Sequence, residues 1–117
     1  MLVGGLNQQL ITWPEYFVEG LLNLGYRVIR LDNRDSGFSR SYDELKCPSF
    51  SRLTLFRWFG VSVDIPYSLE DMAWDVIKLL DHLSLPSAHI IGISMGGMIG
   101  QNLAGKYPSR VSSFTWI

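Results

Sequence analysis

The sequence predicts an α/β fold, a three-layer α/β/α sandwich built on parallel strands, and three observations point to it. Short apolar runs alternate with segments of helical spacing in the order β-α-β-loop-α-β-α-β, the pattern of strands joined by crossover helices. The helical segments gather their apolar residues largely on one side, as a helix that covers a sheet face must. The junction Gly92-Ile93-Ser94-Met95-Gly96 is glycine-rich at a point where a strand gives way directly to a helix, which is where a chain needs room to turn sharply. Neither internal repeats nor low-complexity tracts interrupt this order.

Met1-Leu2-Val3 reads as the end of a buried strand, and Gly4-Gly5-Leu6-Asn7 turns out of it. A helix follows: Thr12 is placed to cap it, Glu15 three residues later completes a capping box, Pro14 suits the first turn, and Gly25 stops it. Phe17, Val18, Leu21, Leu22 and Leu24 form its apolar side. Tyr26 to Leu31 is β-rich and bounded by Asp32-Asn33, so it reads as the second strand. Asp32 to Ser39 is a polar turn. The region 40–67 has no consistent period, contains Pro48, Pro66, Phe50, Phe56, Trp58 and Phe59, and is long enough to be read as a loop that covers a site.

Ser68 with Asp71 opens a second capped helix, in which Leu69, Met72, Ala73, Val76, Ile77, Leu80 and Leu83 repeat at helical spacing and form core. Ala88 to Ile93 is the strand that leads to Ser94. The helix beyond it runs to about Lys106, with Gly97, Gly100 and Ala104 keeping one side small for close approach to the sheet. Tyr107-Pro108 ends that helix, and Val111 to Ile117 reads as a fourth strand.

With 117 residues the chain is one domain, 1–117, and 47% apolar against 18% charged residues gives it a sizeable core. A net charge of −1 without a basic cluster argues against nucleic acid or an anionic membrane surface as partner. The single Cys47 has no internal disulfide partner and no clustered histidines, so it reads as a reduced thiol, and neither a metal nor a cofactor is expected. No apolar run approaches the ~18 residues of a membrane span. A soluble, cytoplasmic protein is expected.

Gly92-Ile93-Ser94-Met95-Gly96 matches G-x-S-x-G, the nucleophile elbow, in which a strained strand-to-helix turn lifts the serine hydroxyl clear of the sheet. Gly92 and Gly96 are the elbow glycines, placed where a β-carbon would collide with neighbouring backbone. The helix that starts beside Ser94 aims its positive end at any oxyanion forming there. In elbow-type sites the oxyanion donors are the amide after the serine and one from the loop after an earlier strand; these are Met95 and Leu6. The hydroxyl also needs a base, and the base a carboxylate, which in such sites follow the serine in the chain. Residues 95–117 contain no Asp, Glu or His. His82 reads as a solvated helix residue. His89 precedes Ser94 by several residues at ~3.3 Å each, too far for proton transfer. Asp32 and Asp35 read first as turn-capping residues. Gly100 to Lys106 fits G-x-x-x-x-G-K, but Tyr107 replaces the required Ser or Thr and the stretch is helical, which excludes a phosphate loop.

Taken together, these residues resemble the N-terminal half of an α/β-hydrolase fold enzyme, in the branch of proline iminopeptidase-like hydrolases and aclacinomycin methylesterase-type esterases. The resemblance rests on Leu2-Val3-Gly4-Gly5-Leu6, Trp13-Pro14, Arg30 to Ser39, Tyr67 to Ala73, and Gly92 to Ile99, and covers essentially the whole chain. Gly4-Gly5 stand where the family often has His-Gly. It implies Ser94 as nucleophile, the Leu6 and Met95 amides as oxyanion hole, a small-molecule ester or acyl substrate, and a family core about twice this length. On that expectation the chain is a partial hydrolase domain that lacks the acid and histidine. Alone it would be inactive or a non-catalytic binding module, with open sheet edges through which copies could associate.

Overall fold

The computed structural model describes residues 1–41, 58 and 66–117. The predicted loop 40–67, with Cys47, therefore lies almost wholly outside the described residues. Among the described residues, four strands, β1 (Leu2–Val3), β2 (Arg30–Leu31), β3 (Ala88–Gly92) and β4 (Val111–Trp116), form one sheet in the order β2-β1-β3-β4. Every pairing is parallel; Leu2 lies opposite Arg30 on one side and Ile91 on the other. Among the described residues, the helices between them are α1 (Glu15–Asn23), α2 (Leu69–His82) and α3 (Met95–Lys106).

Alternation along the strands sorts their side chains onto two faces. Val3 and Ile90 pack with Met72, Val76, Ile77 and Leu80 of α2 and Ile99 and Leu103 of α3. Leu2 points the other way and packs with Trp13 and Val18, with Ile91 and Ile93 at the margin. The predicted three-layer sandwich is thus built, with α2 and α3 on one face and α1 on the other. Leu2, Val3, Leu80, Ile90, Ile99 and Leu103 are fully buried, each contributing roughly 1.5–3 kcal/mol of hydrophobic stabilisation. Trp13 stacks on Phe17 with ring centroids 5.7 Å apart.

The capping box of α2 forms as the sequence predicts: the Ser68 hydroxyl accepts from the Asp71 amide, and the Asp71 carboxylate accepts from the Ser68 amide at 2.7 Å. The predicted box on α1 does not form. The Thr12 hydroxyl instead donates to the Gln9 carbonyl at 2.7 Å within a 3-10 turn (Leu10–Thr12). Pro14 occupies the cap position without a side-chain bond, so Glu15 is the first helical residue and cannot reach back as a third-position partner. Proline's fixed φ starts the helix there.

At its other end α1 stops as predicted: the Gly25 amide donates to Leu22 and the Tyr26 amide to Leu21, the double bond of a Schellman cap, with Gly25 at φ 84°. Leu22 and Leu24, expected on the apolar side, are exposed. The second strand is also shorter than the run Tyr26 to Leu31. Its neighbour β1 offers only two residues, so pairing is confined to Arg30 and Leu31, with one further bond from the Leu2 amide to the Ile29 carbonyl at 2.8 Å.

Chain direction sets where a ligand could enter. From β1 the chain leaves toward β2 over the α1 face, and from β3 it leaves toward β4 over the α3 face. The two connections diverge at the C-terminal ends of adjacent strands, and in open parallel sheets that divergence opens the crevice where ligands bind.

Candidate active site

Ser94 stands at that divergence. It is exposed and has φ 52° and ψ −118°, a backbone conformation that costs a non-glycine residue on the order of 1–3 kcal/mol. The geometry is held from both sides. The Ser94 amide donates to the Ile117 carbonyl at 3.1 Å, and its carbonyl accepts from Gly97 at 2.9 Å and Met98 at 3.3 Å. Gly96 donates to Ile93 at 2.8 Å. A β-carbon on Gly92 would overlap the Gly96 carbonyl, and one on Gly96 would overlap the Val3 carbonyl. Both glycines are thus at points of backbone contact, and the first turn of α3 is pressed onto the end of β1. Ser94 occupies the cap position of α3, yet its hydroxyl makes no capping bond. Among the described residues, the hydroxyl has no hydrogen-bond partner.

The loop after β1 comes up against the serine. A β-carbon built on Gly5 would lie 3.3 Å from Ser94 Cβ and 3.5 Å from the Ile93 carbonyl. Residues 5–8 form a turn in which the Gln8 amide donates to the Gly5 carbonyl at 3.2 Å, with Asn7 at φ 56°. Leu6 is a central residue of this turn, with its side chain exposed. Met95 is the first residue of α3. Neither the Leu6 amide nor the Met95 amide donates a hydrogen bond within the described residues.

Polar side chains that sequence reasoning missed reach this loop from the segment after β2. The Asn33 side chain is 5% exposed and donates to the Gly4 carbonyl at 2.9 Å. Ser36 Oγ donates to the Gln8 carbonyl at 3.1 Å. The Asp32 carboxylate accepts from the Leu10 amide at 2.6 Å and the Phe38 amide at 3.2 Å, which fits its expected turn-capping role. Asp35 accepts from the Tyr67 hydroxyl. Nothing in the linear pattern of Asn33 and Ser36 marks them as partners of residues about thirty positions earlier. Only the parallel pairing of β1 with β2 places the two loops side by side.

His89 is far from Ser94 along β3; its Nδ1 lies 2.7 Å from Ser113 Oγ and its ring meets Tyr26 edge-on at 5.7 Å. His82 is the last residue of α2 and exposed. Among the described residues no group of three or more His, Cys, Asp or Glu could hold a metal ion, and no helix is long and apolar enough to cross a membrane. A cavity of about 370 Å³ lies along the α1 face, lined by Leu2, Leu21, Tyr26, His89, Ile91 and Thr115 among others; Ser94 does not border it.

A parallel α/β sandwich with a strained serine at a strand-to-helix elbow, lodged at the divergence of two connections, defines a class of fold used by serine-dependent hydrolases. The comparisons narrow it: the chain matches the alpha/beta hydrolase fold family over residues 1–117 and belongs to that family. It is 35% identical over 115 residues to the rhodomycin D methylesterase DauP of Streptomyces sp. (strain C5), a match covering 98% of this chain and 33% of that protein. Among solved structures, a hydrolase from Pseudomonas aeruginosa PA01 superposes with a TM-score of 0.70 at 28% identity, covering 97% of this chain and 34% of that one. The enol-lactonase from Burkholderia xenovorans LB400 gives 0.65 at 25% identity, covering 97% and 35%. The chain therefore spans about a third of the length of the relatives it matches.

Proposed function

We propose that this chain is the nucleophile-bearing part of a serine hydrolase that cleaves an ester or related acyl bond through an acyl-enzyme on Ser94. The observation that carries the reading is the Ser94 hydroxyl itself: exposed, set on a strained elbow, and not spent on capping the helix behind it. Ser94 Oγ attacks the acyl carbon while a base takes its proton. The oxyanion is held by the Leu6 and Met95 amides. Collapse expels the alcohol, which takes up the proton, and water then releases the acid by the same route in reverse. The base and its carboxylate belong to chain outside these 117 residues, in the usual order after the serine. The similarity to a methylesterase supports an ester as the bond class. The test is incubation of the full-length protein with a fluorophosphonate and mapping of the adduct by mass spectrometry. Modification at Ser94 is expected, and its absence there removes the reading.

A second reading applies to the 117 residues alone. Residues 95–117 offer no Asp, Glu or His to act on Ser94, which favours a module that keeps the fold without turnover. Hydrolysis of a p-nitrophenyl ester by the isolated chain, lost on Ser94→Ala, would exclude it. Among the described residues β4 is the terminal strand of the sheet, which favours self-association of that isolated chain through this edge. A folded monomer on size-exclusion chromatography would count against such pairing.

A further inference from the structure

We propose that Gln8 is a positioning residue: it closes the turn 5–8 on itself, withdraws the Gly5 amide, and leaves the Leu6 amide as the donor for the oxyanion. This rests on Ser94 being the nucleophile and goes beyond it by naming what sets the second donor.

Two bonds join Gln8 to Gly5. The Gln8 amide donates to the Gly5 carbonyl at 3.2 Å, and the Gly5 amide donates to Gln8 Oε1 at 2.8 Å. Both backbone groups of Gly5 are thus spent on one residue. Asn7 has positive φ while Leu6 does not, the pattern of a type II turn, in which the amide of the first central residue takes no part in the closing bond. That residue is Leu6. Gly5 rests against Ser94, and the amide that follows it in the chain donates no hydrogen bond among the described residues.

Three bonds from the segment after β2 hold the closed turn in place: Asn33 to the Gly4 carbonyl, Ser36 to the Gln8 carbonyl, and the Leu10 amide to Asp32. The chemistry of the side chain also fits. A glutamine offers a neutral acceptor long enough to reach back three residues. A carboxylate in its place would set a negative charge beside the developing oxyanion, and an ammonium could not accept from Gly5.

The experiment compares full-length wild type, Gln8→Met and Gln8→Glu. It reads the rate of Ser94 modification by a fluorophosphonate, kcat and KM on a p-nitrophenyl ester, and the thermal midpoint. Loss of the acceptor in Gln8→Met is expected to lower kcat and the modification rate by roughly 10- to 100-fold, less than the ~10²–10³ of a donor removed outright because the amide is displaced and not deleted, with KM within about twofold. Gln8→Glu keeps an acceptor, so its rate relative to wild type is expected to rise as pH falls and its charge is lost. A folded Gln8→Met with wild-type rates, or with its loss confined to KM, overturns the proposal. Should Gln8→Met fail to fold, the Gln8→Glu profile decides, and a ratio to wild type that is flat with pH overturns it. Wild type unmodified at Ser94 brings down the nucleophile reading and this one with it; wild type modified and Gln8→Met unaffected brings down this one alone.

Discussion

Arg34 grips Asp75 through two hydrogen bonds of 2.7 Å, Nε to one carboxylate oxygen and an Nη to the other, tying the segment after β2 to the middle of α2. The guanidinium also lies 5.0 Å over the Tyr67 ring. The fork geometry is one that lysine cannot reproduce. The Arg34 side chain is 15% exposed and Asp75 44%, so solvent screens part of the attraction. A double-mutant cycle of Arg34→Lys and Asp75→Ala, followed by urea unfolding, is expected to give a coupling of about 1 kcal/mol. Coupling indistinguishable from zero would make the pair a surface accident.

The strain at Ser94 predicts a trade between stability and chemistry. Glycine adopts positive φ without a β-carbon penalty, so Ser94→Gly is expected to be more stable than wild type by about 1 kcal/mol while losing all fluorophosphonate labelling. Equal or lower stability in chemical denaturation would mean that the elbow holds no usable strain.

Glycines within α3 are expected to respond in opposite directions. Gly96 would drive a β-carbon into the Val3 carbonyl, whereas a β-carbon on Gly105 meets nothing within 4 Å. Gly96→Ala should cost about 3 kcal/mol or more, because rigid backbone must move. Gly105→Ala should gain about 0.5–1 kcal/mol from helix propensity. Thermal unfolding of the two variants side by side separates close approach from generic helix weakening.

Asp71 connects stability to pH. Its carboxylate accepts from the Ser68 amide and hydroxyl, which holds its pKa below the ordinary value. A depressed carboxylate stabilises the fold above its ordinary value of 3.8, and that contribution is lost as pH falls through the lower folded value. Asp71→Asn should therefore flatten the acid limb of a stability profile without changing its alkaline side. Ser68→Ala, which removes the cap itself, should cost about 1 kcal/mol at neutral pH. An unchanged acid limb in Asp71→Asn would remove the capping box as its source.

Element types were legible because they depend on local spacing. The stripe Met72, Ala73, Val76, Ile77 and Leu80 could only be one buried helical face, and Ser68 with Asp71 could only begin a helix. Element lengths were less legible. Tyr26 to Val28 has the composition of a strand but, among the described residues, no strand paired with it, and Thr12 has the chemistry of a cap but sits before a proline that starts the helix itself.

The amino-acid order by itself determined that Ser94 lies between a strand and a helix, flanked by glycines at the two positions where a β-carbon has no room. It did not determine what surrounds that serine. The approach of Gly5, the lock formed by Gln8, and the grip of Asn33 and Ser36 on the loop after β1 arise only when β1 pairs with β3 on one side and β2 on the other. Periodicity is a property of near neighbours in the chain, whereas these contacts join residues tens of positions apart, and only folding sets that distance.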